Sequence, residues 1–191
     1  MVRALFLILF LAPSLASAKV HFGVSYGANN DSNSLDSKNV TSTTYFNGYV
    51  FVQLVEKYRI YLGAEYAYLS ASGPNADSTL SQMQASGPLV GVKWLIGRDD
   101  LFFMSVAGTT LTQATYKVSG AQTETWTGYS YAGQVGLRPL ITTRLRLTAG
   151  LTYIASTYTT KSVSSTGTPS SSKSNFVRTY YSPTVGLELD F

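Results

Sequence analysis

The sequence predicts an all-β fold, an eight-stranded antiparallel up-and-down transmembrane β-barrel with four long loops at one end and three short turns at the other. Three observations predict it. Apolar and small or polar residues alternate with period two in segment after segment of the 191-residue chain. The connections between those segments are long and short in strict alternation. Charged residues are only 13% of the chain, about half of the usual ~25%, while it carries 14 Tyr and 16 Gly.

The chain opens with Met1-Val2-Arg3, an unbroken apolar run over 4–12, Pro13, and then Ala16-Ser17-Ala18. One positive charge, a short apolar core and an Ala-x-Ala exit at Ala16 and Ala18 are the three parts of a secretory signal peptide. Residues 1–18 are therefore expected to be removed after Ala18, leaving 19–191 as one barrel domain. The apolar core is too short to span a bilayer as a helix, and nothing later approaches the ~18–20 residues that would be needed.

The strands follow in order. Over 20–28 the even positions Val20, Phe22, Val24 and Tyr26 are apolar, and His21, Gly23, Ser25 and Gly27 between them are not. Residues 46–54 are apolar on both parities. Over 60–68 Leu62, Ala64, Tyr66 and Tyr68 oppose Gly63 and Glu65, and over 88–96 Val90, Val92, Trp94 and Ile96 oppose Gly91 and Lys93. Residues 102–110 again carry apolar side chains on both parities. Over 129–137 Tyr129, Tyr131 and Val135 oppose Ser130 and Gln134, and over 145–153 Leu147, Leu151 and Tyr153 oppose Arg146, Thr148 and Thr152. The last segment sets Tyr181, Val185, Leu187, Leu189 and Phe191 against Ser182, Thr184, Gly186, Glu188 and Asp190. Successive side chains of a strand leave opposite faces, so each segment has one apolar face. A length of about nine to eleven residues suits a tilted strand crossing a bilayer.

Polar, Ser/Thr/Asn-rich segments at 29–43, 70–85, 117–127 and 156–176 read as the long loops, and 55–59, 97–100 and 138–143 as the turns. A water-soluble barrel would bury its apolar face, whereas a membrane barrel turns it to lipid. Membrane contact accounts for the composition. Lipid excludes charge, a narrow lumen favours Gly, Ala, Ser and Thr, and the bilayer interface collects Tyr and Trp. Tyr26, Tyr66, Tyr68, Trp94, Tyr129, Tyr131, Tyr153 and Tyr181 all fall on the apolar parity.

The same parity turns Glu65, Lys93, Arg138, Arg144, Arg146, Glu188 and Asp190 inward. Glu65 is expected to pair with Lys93 on the neighbouring strand, and Arg144 and Arg146 to face Asp190 and Glu188 across the last hairpin, together plugging the lumen. A buried carboxylate without a cation would cost several kcal/mol. For Arg138, Arg144 and Asp190 a hydrated place at the rim is an equal alternative. Tyr49, Phe51 and Tyr61 also point inward, either as packing or as an apolar gate.

Thr184, Gly186, Leu189 and Phe191 stand in the order polar, Gly, apolar, terminal aromatic. This segment resembles the terminal signature of bacterial outer-membrane barrels. With the signal peptide and the strand rhythm, the chain is similar to the small eight-stranded group that includes OmpX/Ail-like, OmpW-like and OmpA-barrel proteins. The resemblance implies a bacterial outer-membrane location with periplasmic termini. It implies contact with outer-membrane lipid and lipopolysaccharide, and reading of the last strand by the barrel-assembly machinery. A ring without a free strand edge is expected to be monomeric.

Several functions are excluded or disfavoured. Without Cys there is no disulfide framework, thiol nucleophile or thiolate metal site. A formal charge of +4, dispersed along the chain, is no nucleic-acid footprint. Some small outer-membrane barrels modify lipid A, which by resemblance needs a His–Ser pair near the outer leaflet. The one His, His21, falls at the opposite end, so no enzyme and no cofactor is expected. Asn29, Asn30, Asp31, Asn33 and Asp36 could offer oxygen ligands to a cation, but their spacing matches no rigid site. Lys38, Lys117, Lys161 and Lys173 lie in the outward loops, where lipopolysaccharide phosphates would attract them. A non-enzymatic envelope or surface-interaction role through the loops is the leading expectation. A narrow OmpW-like pore for small or apolar solutes comes next, and a lipid-A-modifying enzyme last.

Overall fold

In a pleated strand successive side chains leave opposite faces, and here a single closed ring takes up both. The computed structural model describes residues 18–33, 36–74, 80–118, 123–163 and 170–191. The signal segment with Ala16 lies outside these residues, as do the side chains of Asn30, Asp31, Asn33, Asp36 and Lys38. Eight strands follow in chain order: β1 (Val20–Asn33), β2 (Asp36–Val55), β3 (Ile60–Pro74), β4 (Leu80–Ile96), β5 (Phe102–Val118), β6 (Glu124–Leu137), β7 (Leu145–Val163) and β8 (Ser170–Asp190). Each pairs antiparallel with its sequence neighbour, and β8 returns to β1 to close the barrel. The closing seam runs from His21↔Asp190 to Gly27↔Thr184.

The eight strand centres lie where the alternation puts them, but the strands are longer than expected. They run from 14 to 21 residues, and the ladder continues through most of what read as loops. The alternation does not stop at the polar segments; it inverts. Along β3 the outward residues change from Leu62, Tyr66 and Tyr68 to Ser70 and Ser72, while the inward ones change from Glu65 to Ala67, Leu69 and Ala71. Along β4, Val90, Val92 and Trp94 face out below Gln82 and Gln84, and Lys93 faces in below Ala85 and Met83. The lower barrel is thus apolar outside and polar inside, and the upper barrel has the polarity of a water-soluble one.

The switch falls at a ring of aromatic side chains. Tyr26 pairs with Phe46 and Phe46 with Tyr68 across three strands, and Tyr153 pairs with Tyr181 across β7 and β8. All are exposed on the outer face, as rings with a polar tip are where hydrocarbon gives way to water. Residues 102–110 looked ambiguous because β5 changes phase. A register shift between Thr109 and Thr112 moves the inward parity from Phe103, Ser105 and Ala107 to Thr112 and Ala114. The extra residue lets one strand serve both halves of the barrel, and the freed Leu111 amide donates to Thr109 Oγ1 at 3.0 Å.

The turns at the other end are short and held locally. Gly97 has φ 86°, a conformation side chains disfavour, and opens the 3-10 turn Arg98–Asp100. Arg59, at the preceding turn, donates from Nη1 to the Gly97 carbonyl at 2.6 Å and pairs with Asp100 at 2.8 Å. Neighbouring turns are therefore tied together.

Candidate functional site: the filled lumen

The inward parity of the lower barrel gathers one charged layer. β8 supplies Glu188 and Asp190, β4 supplies Lys93, β7 supplies Arg146, and Arg138 follows directly on β6. His21 of β1, Tyr49 of β2 and Tyr61 of β3 complete it. Glu188 is the hub and is fully buried. Its Oε1 accepts from Arg138, and its Oε2 accepts from Lys93 and, at 2.7 Å, from the Tyr49 hydroxyl. Asp190 accepts from Arg138 at Oδ1 and from Arg146 Nε at Oδ2, each at 2.7 Å. His21 stacks on Tyr61 with ring centroids 4.2 Å apart. Its ring nitrogens stand 3.6 Å from a Glu188 and an Asp190 oxygen.

Glu188, Lys93 and Arg138 are buried, and a buried charge needs a protein partner. Lys93 also lies beside the faces of Tyr49, Phe103 and Phe51, at 5.0, 5.2 and 5.8 Å to the ring centroids. Phe51, Tyr61, Leu95 and Phe103 pack as one apolar cluster. Of the aromatic residues considered as a gate, Tyr49 and Phe51 thus lie beside the Lys93 ammonium, Tyr61 stacks on His21, and the Tyr49 hydroxyl is bonded to Glu188.

Three pairings differ from expectation. Glu65 does not meet Lys93: strand stagger sets Glu65 opposite Leu89 and Lys93 opposite Tyr61, a full four residues lower. Lys93 instead crosses the lumen to Glu188, and Glu65 accepts from Asn47 Nδ2 at 3.0 Å. Arg138 is not a hydrated rim residue; it is fully buried and joins both carboxylates. Arg144 is exposed and enters no ion pair among the described residues; it lies in the turn that precedes β7. Arg146 does reach Asp190. Its Nη1 also donates to the carbonyls of Asp99 and Arg138 at 3.0 and 3.2 Å, anchoring two turns.

His21, Glu188 and Asp190 come close enough for their ligand atoms to fit around one metal ion. Every carboxylate oxygen of the trio, however, already accepts from a lysine, an arginine or a tyrosine. A cation there would compete with four protein donors, so the trio suits a structural anchor better than a metal seat.

A second layer fills the upper barrel. Tyr45, Leu69, Met83, Ile154 and their neighbours form its apolar core. Trp126, Tyr158 and Phe176 stack at its top, with Phe176 at 5.2 Å from Trp126 and 5.5 Å from Tyr158. Lys161 pairs with Glu124 and lies 5.4 Å from the Trp126 ring. Hydroxyls of Thr112, Ser130 and Ser156 chain together beneath at 2.6 and 2.7 Å. This core escaped the sequence reading because its residues sit among Ser, Thr and Gln. Their spacing of two, as in Leu69-x-Ala71 and Met83-x-Ala85, is the signal that could have found it.

The terminal motif has a physical basis at the seam. A Cβ on Gly186 would stand 2.2 Å from the Val24 carbonyl oxygen and 2.7 Å from Thr148 Oγ1, so no side chain fits where β8 meets β1. Thr184 is buried with its hydroxyl 3.0 Å from that of Thr152. Leu189 and Phe191 point outward, and Phe191 packs edge-on against Phe22 at 5.8 Å.

No protein-family model matches the chain, and no curated protein matches it in sequence. Solved structures do match in shape. Neisserial surface protein A superposes with a TM-score of 0.52 at 12% identity, covering 91% of this chain and 97% of its own. Ail, the attachment invasion locus protein of Yersinia pestis, gives 0.50 at 14% identity, with 91% and 97% covered. A major outer membrane protein from Thermus thermophilus gives 0.50 at 12% identity, with 90% and 99% covered. At such identities the likeness is one of fold, and the fold is that of the small eight-stranded outer-membrane barrels.

Proposed function

We propose that this chain is a closed, non-enzymatic barrel of the bacterial outer membrane, with its turns periplasmic and its tall upper barrel facing outward as a surface for the envelope or for partners. One observation carries the reading: interlocked side chains fill the lumen at two levels, the Glu188 ion layer below and the apolar core above. A barrel filled with interlocked side chains is suited to support and display rather than to passage. The apolar outer face below the aromatic ring supports the bilayer location. His21, the one imidazole, is packed between Tyr61 and two carboxylates, which favours a structural role over that of a catalytic base. Membrane fractionation with heat-modifiability on a gel tests location and closure together, and single-channel recording tests sealing. No steady conductance is expected, and a persistent open pore overturns the reading.

A second reading, a narrow route for small apolar solutes, draws support from the upper lumen. A small apolar cavity there is lined by Ala67, Leu69, Ala85, Gly87 and Ile154. It adjoins the stretch between Ser86 and Val90 where the β4–β5 ladder shifts register. Uptake of a small apolar solute into protein-containing liposomes, above that of protein-free ones, would favour it over a sealed barrel.

A further inference from the structure

The ion layer has an antechamber. At the turn end a pocket of about 510 Å3 opens below it, lined by Lys19, His21, Tyr61, Arg144, Arg146 and Asp190 among others. Its carboxylates are already engaged. Asp190 is bonded by Arg138 and Arg146, and Asp100 by Arg59. Lys19 and Arg144 are exposed on the rim, and neither enters an ion pair among the described residues.

His21 is 2% exposed, lines the pocket, and its Nδ1 has no hydrogen-bond partner. In the layer above, Arg138 likewise leaves Nε and Nη1 unpartnered. His21 itself faces Glu188 and Asp190 at 3.6 Å, so the anion site is described by Lys19 and Arg144, the two exposed cations of the pocket that enter no ion pair among the described residues.

The rim also says which kind of anion. Phe191 lies edge-on to Phe22, both exposed on the outer apolar face, with exposed Leu189 beside Phe22 in the ladder. A molecule with an anionic head and hydrocarbon tails would meet the pocket and this face together. We propose that the antechamber binds the phosphate headgroup of an anionic bilayer lipid, with Lys19 and Arg144 on the phosphate and the chains along Phe22 and Phe191. Each cation near a lipid surface contributes about five-fold in affinity, so the two together contribute about twenty-five-fold.

This site rests on the bilayer reading above, and its test is separable from it. The full chain, purified in an uncharged detergent, is offered phosphatidylglycerol, phosphatidylcholine or inorganic phosphate, and retained molecules are read by native mass spectrometry. Phosphatidylglycerol is expected to be retained in preference to phosphatidylcholine, and a K19Q/R144Q double variant to lose about twenty-five-fold of that preference. Lys173→Gln, at the opposite end, should leave it unchanged, and the heat-modifiable band should persist in every variant. Equal retention of the two lipids, or undiminished retention by the double variant, overturns the proposal. Inorganic phosphate binding as tightly as the lipid overturns the lipid as its source. A chain that needs no detergent would instead defeat the bilayer reading.

Discussion

Glu188 carries more of the lumen than any other side chain, because two buried cations and a tyrosine hydroxyl end on its two oxygens. Removing one partner of a buried pair strands the other, at about 3–5 kcal/mol. Glu188→Gln is therefore expected to lower unfolding stability by about that amount, measured by denaturant titration in detergent. Adding Lys93→Met should recover part of it, since the stranded ammonium is then gone. Glu65→Gln should cost about 1 kcal/mol or less in the same titration, because its polar partner is the neutral Asn47 amide rather than a cation. The contrast separates the observed network from the Glu65–Lys93 pair that strand parity alone suggested. At the seam, Gly186→Val drives a side chain into the Val24 carbonyl. Loss of the heat-modifiable, closed form on a gel is expected, whereas Leu189→Ile, on the outer face, should keep it.

The strands explain why the segments between them looked like loops. In the lower barrel a strand announces itself by apolar residues on the lipid parity. Above the aromatic ring the same strand shows Ser, Thr and Gln outward, so its composition matches that of a loop while its period of two persists. β7 runs from Leu147 and Leu151 through Tyr153 to Thr157, with Thr152, Ile154, Ser156 and Tyr158 turned in. Trp126→Ala opens the top of the upper core and should cost about 3–5 kcal/mol there. Limited proteolysis should then cut the upper β6 and β7 hairpin faster, while the lower barrel still migrates as a folded band. If the upper segments were loops without a core, the substitution would leave the cleavage rate unchanged.

For the molecule as a whole, the outer belt and the doubly filled lumen make a joint prediction. The full barrel should stay monodisperse only with detergent or lipid, and reconstituted it should pass no steady current. The Glu188→Gln protein that remains folded should still show no large pore, because the upper core fills the lumen with its own buried side chains. A large conductance from that variant would mean that the ion layer is the whole plug.

Much of this architecture was legible along the chain. The strand centres, their order, the face that meets lipid and the three tight turns follow from period and spacing, because alternation and chain reach are local properties. The inward placement of Lys93, Glu188, Asp190 and Arg146 follows from the same parity. Their partners do not. Which cation meets which carboxylate depends on stagger around the ring, and Lys93 and Glu188 lie on strands that never pair with each other. The central place of Arg138, the absence of an ion pair at Glu65 among the described residues and the apolar filling of the upper barrel likewise arise only when the sheet closes. Ring closure sets heights and distances across the lumen, and no local pattern in the chain carries that information.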